Sequence, residues 1–557
     1  MRALRLVLPA ALVVAAIAGA CSSGGDGGSG DLPVDDSAVP LDFGTDSVRP
    51  PDDSGFPIGP FDDFPSTPIL DAPTGGTATP PSAPTLFGPP ASGDASGGPC
   101  LIEPEIGSLF PRNWLRPRFR FAAGGGENLF EIRLHADDEK SDLVVYTTST
   151  TWTMPADMWS KLTNHVIDKP ITVTIRGAVY DGSKLTAGPS IGSSGTITIA
   201  PADADGTIVY WVLPGGSTSV STLKGFNVGQ DTVQTVLTPT QASTACVGCH
   251  TSTPDGNYVA FSSSDNAGDG SGSAWMALRS VKDPTAEPPF LTAIAKTLIG
   301  RKDQHAGSFS RAHWSPGDRV MLSILPVAGK AELVWTDLEA TSADVDKGWG
   351  IVARTGDAQG AAGPSFSHDG TKVIYFSAPD VGAGEITAGN GDLFIVPYAD
   401  RKGGAVTPLA SDPSSSSFYP QFSADDRLVA FNKVPRGQTS YNDPADEIYV
   451  VPSSGGGASV RLKANDPPAC TGSKSPGVTN SWPKWSPKAT PSGSKTYYWL
   501  TFSSTRVDGK NPQLYVTGIV VEGSTITTYP ALYLWNQPGD EHNHTPAWDV
   551  FAIPPPH

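Results

Sequence analysis

A four-residue pattern that keeps returning through the C-terminal two-thirds of the chain restricts its fold more than any other feature. It reads Ala312-His313-Trp314-Ser315, Pro364-Ser365-Phe366-Ser367, Pro420-Gln421-Phe422-Ser423, Pro483-Lys484-Trp485-Ser486 and Pro546-Ala547-Trp548-Asp549. Asp369-Gly370 and then Val373-Ile374-Tyr375-Phe376 follow one copy; Asp425-Asp426 and then Val429-Ala430-Phe431 follow the next. The same continuation, Asp255-Gly256 then Val259-Ala260-Phe261, follows Thr253, which stands where the others have serine. Anchors at 253, 315, 367, 423, 486 and 549 lie 62, 52, 56, 63 and 63 residues apart. A strand, a tight acidic turn and a second strand at a fixed period describe a repeated antiparallel unit.

Third strands follow, such as Asp392-Leu393-Phe394-Ile395-Val396-Pro397 and Glu447-Ile448-Tyr449-Val450-Val451-Pro452, and a fourth ends near Pro408-Leu409. Four strands per unit make a propeller blade. After Trp548 there is room for about one more strand, so the outer strands of the last blade are expected at Ile208–Leu213 and Val233–Leu237. Joining the two ends in one blade removes the exposed edges that an open array would leave. The region 205–557 resembles the six-bladed TolB-like propellers with their W-S-x-D-G repeats. That resemblance implies a fold and no activity, because such propellers serve as binding scaffolds, enzyme domains and cofactor holders.

Directly before the first repeat stands Cys246-Val247-Gly248-Cys249-His250. Two thiols at this spacing can each add to a haem vinyl, and the adjoining histidine can reach the iron, so C-x-x-C-H reads as attachment of one covalent haem c. A redox or structural Cys pair is the bland reading; a zinc half-site lacks its second half. By the repeat alignment His250 opens the innermost strand of blade one. The neighbouring blades then bring Asp540-Glu541-His542-Asn543-His544 and His313 towards it. His544 is the expected second iron ligand, followed by His542, His313, His305, Met276 and Met321. His542 and His544 with Asp540 also admit a zinc or copper reading. Between Thr240 and Phe261 there is no room for a helical cytochrome domain, so the propeller itself would have to shelter the haem.

The N-terminus carries Arg2 and Arg5, an apolar run from Leu6 to Ala20, and small residues before Cys21. Residues 1–20 read as an export signal, and Cys21 after Ala18-Gly19-Ala20 resembles a bacterial lipobox. The resemblance implies lipid on Cys21, a membrane anchor without a spanning helix, and, through Ser22, an outer-membrane destination. Residues 21–99 are rich in Gly, Pro, Ser and Asp and are expected to be a disordered acidic tether. Residues 100–204 show period-two runs such as Arg118-Phe119-Arg120-Phe121 and Ile171-Thr172-Val173-Thr174-Ile175, which predict an antiparallel sandwich. Trp152, Met154-Pro155 and Trp159 resemble the middle of a fibronectin type III-like domain. Gly188-Pro189-Ser190-Ile191-Gly192 matches G-x-S-x-G but reads as a loop in an all-β stretch, without the strand–elbow–helix context of a hydrolase.

With Cys21 and the motif cysteines assigned, Cys100 and Cys470 remain, either as a disulfide of an oxidising compartment or as free buried thiols. The formal net charge of -18, from 56 acidic against 38 basic residues, excludes nucleic acid as a natural partner. The expectation is an all-β, exported, lipid-anchored haem protein that passes electrons or senses redox state, with a protein redox or envelope partner. The alternatives are a TolB-like binding or scaffolding propeller in which Cys246 and Cys249 form a disulfide, and a peroxidase-like haem enzyme with an open iron position.

Overall fold

The computed structural model describes residues 58–214, 220–264, 274–379, 390–440 and 443–553. The export signal, Cys21 and the tether as far as residue 57 lie outside them. The chain is all-β, in an N-terminal unit of two sheets followed by a succession of smaller antiparallel ones.

In the N-terminal unit a six-stranded sheet runs in the order Ile69–Leu70, Leu143–Thr147, Leu129–His135, Pro170–Tyr180, Leu185–Ile199, Leu109–Phe110. A second sheet holds Cys100–Glu103, Arg118–Ala122 and Thr151–Thr153. Period-two patterning does its expected work here: Phe119 and Phe121 are buried, while Arg118 and Arg120 turn outward to Glu103. The Trp159 region is a helix, Ala156–His165, started after Pro155 and burying Met158, Trp159 and Leu162 at helical spacing. Gly188–Gly192 lies inside the strand Leu185–Ile199 and not in a loop.

The tether expectation is corrected from residue 58 onward. Ile69–Leu70 pairs in parallel with Val145 and Tyr146, Ala83–Phe87 is a short helix, and Phe64 and Phe87 are buried. A buried guanidinium fixes this segment. Arg176, wholly enclosed, binds the Glu131 carboxylate through Nε at 3.0 Å and Nη2 at 2.6 Å. Its Nη1 donates to the carbonyls of Pro89 at 2.9 Å and Ser92 at 3.1 Å. Composition marked the segment as polar, but its few aromatic residues and these carbonyls complete the unit.

Six sheets follow among the described residues, and their first strands are His250–Ser252, His305–Ser308, Gly360–Phe366, Ser415–Phe422, Asn480–Trp485 and Glu541–Asp549. Each first strand contacts the next, and the last contacts the first, so the contacts form a closed cycle. Closure is made by Thr207–Pro214, which pairs antiparallel with Glu541–Asp549 and continues to Thr222–Asn227 and Gln234–Leu237. The acidic turns are fastened alike. Ser367 Oγ donates to Asp369 at 2.6 Å, Ser423 Oγ to Asp425 at 2.8 Å and Thr253 Oγ1 to Asp255 at 2.6 Å. A hydroxyl is what the position needs, which is why threonine serves in the first sheet.

Two sheets depart from the expected unit. The first has three described strands, ending with Ala274–Ser280, and the helix Ala293–Ile299 packs beyond its third. In the second, Trp314–Ser315 is not on the first strand: it follows a 3-10 turn and pairs with Asp318 and Arg319 in its own small hairpin. Phe309 and Ser310, five residues earlier, take the anchor places, with Ser310 Oγ donating to the Ser367 carbonyl at 3.2 Å.

The two halves are joined by a Cys100–Cys470 disulfide with Cα atoms 5.7 Å apart. Indole N–H groups of the ring also reach across: Trp499 donates to the Asp203 carbonyl at 3.0 Å, Trp535 to Arg116 at 2.9 Å and Trp548 to Asp205 at 2.8 Å. Among the described residues no helix is long and apolar enough to cross a membrane.

Candidate axial site

Five of the six first strands share a break. Ala306, Gly363, Tyr419, Trp482 and Thr545 have φ of 57°, 55°, 51°, 62° and 45°, each three residues before the aromatic anchor. The strand register shifts at the same place in every one. Four of the five are not glycine, so each holds a left-handed conformation costing on the order of 1–3 kcal/mol that packing must offset. In the first sheet the equivalent position is Cys249. The Cys-x-x-Cys-His motif thus replaces the bulge of the other strands, with Ser262 bracketed by the Gly248 N–H at 2.9 Å and the Cys249 carbonyl at 2.8 Å.

The motif residues face different ways. Cys246 is a free, half-buried thiol 3.2 Å from Ser264 Oγ. Ser264 and Trp275 line an open concavity of about 510 Å³ at the surface. Cys249 is buried in the ring's core. His250 is buried, and its Nε2–H donates to the Val209 carbonyl at 3.0 Å. Burial holds this imidazole neutral, with its pKa pushed down to about 4.

The strands on either side of the motif place a histidine in matching register, each immediately before the left-handed residue: His544 before Thr545, and His305 before Ala306. Both are buried, and in both Nδ1 meets no hydrogen-bond partner among the described residues. His544 lies against Trp211 with ring centroids 4.8 Å apart. Burial first, then the charges of His542 and His250, push its pKa down to about 3; burial pushes that of His305 to about 4. His313 is a correction: it sits on the 3-10 turn Arg311–His313, with Nδ1 on Asp318 at 3.0 Å and Nε2 on the Gly370 carbonyl at 3.1 Å, so both nitrogens are engaged away from the first strand. Met276 and Met321 are buried in the apolar cluster between the first two sheets, and Ser262 Oγ donates to Met276 Sδ at 3.4 Å. His542 and Asp540 build no metal cage with His544: among the described residues no three His, Cys, Asp or Glu side chains gather as one.

The sequence reading missed a second group on the first strands. Lys484 is buried with Nζ unpartnered, and burial pushes its pKa down to about 7 against the pull of Asp549. Asp549 is fully buried with Oδ2 unpartnered, and burial raises its pKa to about 7, opposed by the Ser252 hydroxyl and the Val550 N–H. Gln421 Nε2 is likewise buried without a partner. A signal existed: the residue before the aromatic anchor is Ser365, Gln421 or Lys484, polar where a sheet interior would be apolar.

No family model matches the chain, and no curated protein sequence matches it. Solved structures align at low similarity. A puromycin-hydrolysing peptidase of Mycobacterium tuberculosis gives a TM-score of 0.29 at 12% identity, over 60% of this chain and 53% of that one. A putative 6-phosphogluconolactonase of Bacteroides fragilis gives 0.29 at 10% identity, over 73% and 98%. A dihydro-haem d1 dehydrogenase gives 0.27 at 14% identity, over 59% and 64%. The chain spans about half the length of the peptidase it aligns with. At these scores the likenesses carry no argument about what this protein does.

Proposed function

We propose that this protein is an exported, lipid-anchored c-type haem protein of the bacterial envelope. In this reading the six sheets are the blades of a TolB-like six-bladed propeller, and the N-terminal unit is a fibronectin type III-like sandwich. The observation that carries it is the Cys-x-x-Cys-His motif at the inner-strand break of one sheet, flanked in register by two neutral imidazoles, His544 and His305, each with an unpartnered Nδ1. Cys246 and Cys249 would hold the porphyrin through thioethers, His250 would bind the iron, and His544 is the first choice for the opposite side. Bound there, the group supplies a one-electron iron couple for electron transfer to a protein redox partner or for redox sensing.

Two features of the fold must yield for attachment. Cys249 has to turn out of the apolar core, and His250 Nε2 has to leave the Val209 carbonyl. Those same features favour a second reading, an envelope scaffold of the TolB-like kind in which His250 is a satisfied core residue. That reading expects a Cys246–Cys249 disulfide; Cys246 is a free thiol in the structure.

The experiment is expression in a host with haem-attachment machinery, followed by acid extraction of denatured protein. Haem that stays with the chain, and leaves when Cys246 and Cys249 are both alanine, supports the first reading; haem-free protein gives the second. A low-spin spectrum that turns high-spin in His544→Ala identifies the distal ligand, and an unchanged one moves the assignment to His305. A wild-type spectrum already high-spin and open to cyanide turns the reading to substrate chemistry at the iron. Globomycin-sensitive labelling by palmitate, lost in Cys21→Ala, tests the lipid anchor.

A further inference from the structure

Where the disulfide joins the two halves, a cavity of about 170 Å³ opens between the end of the strand Cys100–Glu103, the Cys470 turn and the fifth sheet of the ring. Pro467, Pro468, Ala531 and the rings of Tyr515 and Tyr533 form its apolar walls. A cavity of about 150 Å³ accommodates one benzene ring, so this one has room for a ring and a small polar substituent. Ligand sites favour such junctions between units.

The charged groups on its wall do not cancel. Glu103 is saturated by Arg118 and by the Nε of Arg120, both at 2.6 Å. Arg506 stacks over Tyr515 at 4.6 Å and is held by Ser504 Oγ, the Ala464 carbonyl and Asn480 Oδ1, all neutral. Among the described residues no carboxylate forms an ion pair with it. Glu105, on the same wall, makes no side-chain hydrogen bond or ion pair among the described residues, and burial raises its pKa to about 8, with Arg506 opposing and Asp466 assisting. Of the acids near Arg506, Glu103 and Asp466 are paired with other arginines, and Glu105 is a protonated carboxyl at neutral pH, a donor and not a counter-charge.

We propose that this cavity binds a small monocarboxylate of about benzoate size, its carboxylate between Arg506 and the Glu105 carboxyl and its ring between Tyr515, Tyr533 and Pro468. A cation would meet Arg506, and a neutral ring would leave the guanidinium without an anion, so the chemistry selects for negative charge. The other charged groups facing Glu105 are Asp466, bound to Arg461 at 2.7 Å, and the Glu103–Arg118–Arg120 cluster. The two tyrosines are pushed upward, Tyr533 to about 12, so Glu105 governs the response near pH 8.

The test is titration of the full chain with benzoate, read by calorimetry and ligand-observed NMR, with benzyl alcohol and benzylamine as controls. Saturable benzoate binding is expected at pH 7 with a dissociation constant on the order of 1 mM or tighter. It should weaken on the order of tenfold by about pH 9.5, where the Glu105 carboxylate repels the ligand. Glu105→Gln keeps a neutral donor and should flatten that pH profile, and Arg506→Gln should abolish binding. Because Arg506 also braces the backbone, Glu105→Gln is the decisive variant. The proposal is overturned if benzoate does not saturate, if benzylamine binds equally well, or if the Glu105→Gln profile keeps the wild-type slope.

Discussion

Both halves of the molecule bury charged side chains, and they do so in opposite ways. In the N-terminal unit Arg176 and Glu131 are sealed together, with Tyr146 Oη donating to the carboxylate at 2.8 Å and loop carbonyls taking the rest of the guanidinium. On the first strands of the ring, Lys484, Asp549, Gln421, His305 and His544 each keep a buried polar atom without a partner. A saturated pair holds one conformation, because removing either member strands the other. An unsaturated cluster has no such commitment and answers to protons or ligands. The comparison teaches that burial alone does not separate scaffold from site here; saturation does.

Arg176→Met is the strongest test of that contrast. It leaves the buried Glu131 carboxylate with only Arg133 Nε at 3.4 Å and the Tyr146 hydroxyl, and should cost about 3 kcal/mol in urea unfolding, together with protease sensitivity of the segment 58–99. A loss under about 1 kcal/mol would remove the distinction from the N-terminal side. Next in size is the covalent tie: Cys100→Ser with Cys470→Ser should lower stability by about 2–4 kcal/mol, seen as a thermal transition earlier than that of the disulfide-joined wild type.

The ring cluster should respond to pH where the saturated pair does not. Lys484 has a folded pKa of about 7 against an ordinary 10.5, so between those values the unfolded chain binds more protons and stability rises with pH. Asp549 has a folded pKa of about 7 against 3.8, so the folded chain binds more protons in that window and stability falls as pH rises through it. Lys484→Met should erase the alkaline rise, and Asp549→Asn the acidic fall, each at most about 1.4 kcal/mol per pH unit in denaturant midpoints. Profiles unchanged by both substitutions would mean that these groups are hydrated or paired in solution. The smallest effect is expected for His544→Leu in haem-free protein: a change within about 1 kcal/mol at pH 7, because an unpartnered imidazole is replaced by an apolar side chain of similar reach.

The repeat spacing and the period-two runs placed Ile208–Leu213 and Val233–Leu237 in the sheet of the C-terminal strand, but not Thr222–Asn227, which lies between them in that sheet. These are local patterns, and a strand or a turn is encoded within a few residues. The motif's place at the start of a first strand was legible for the same reason. What the motif's side chains do was not: His250 meets a carbonyl 41 residues upstream only because the ring closes there. The Trp314-Ser315 anchor misled because a side hairpin uses the same two residue types, and only pairing across the sheet distinguishes Phe309-Ser310 as its counterpart. The left-handed breaks at Ala306, Tyr419, Trp482 and Thr545 carry no glycine to announce them, since neighbouring sheets hold them in place. The same holds for residues 58–99, whose composition lacks a core of its own and whose order comes from the Arg176 guanidinium waiting for carbonyls. Sequence sets which elements form; which charges and carbonyls then face one another is fixed by closure and docking, because those partners lie tens to hundreds of residues apart and meet only in the folded chain.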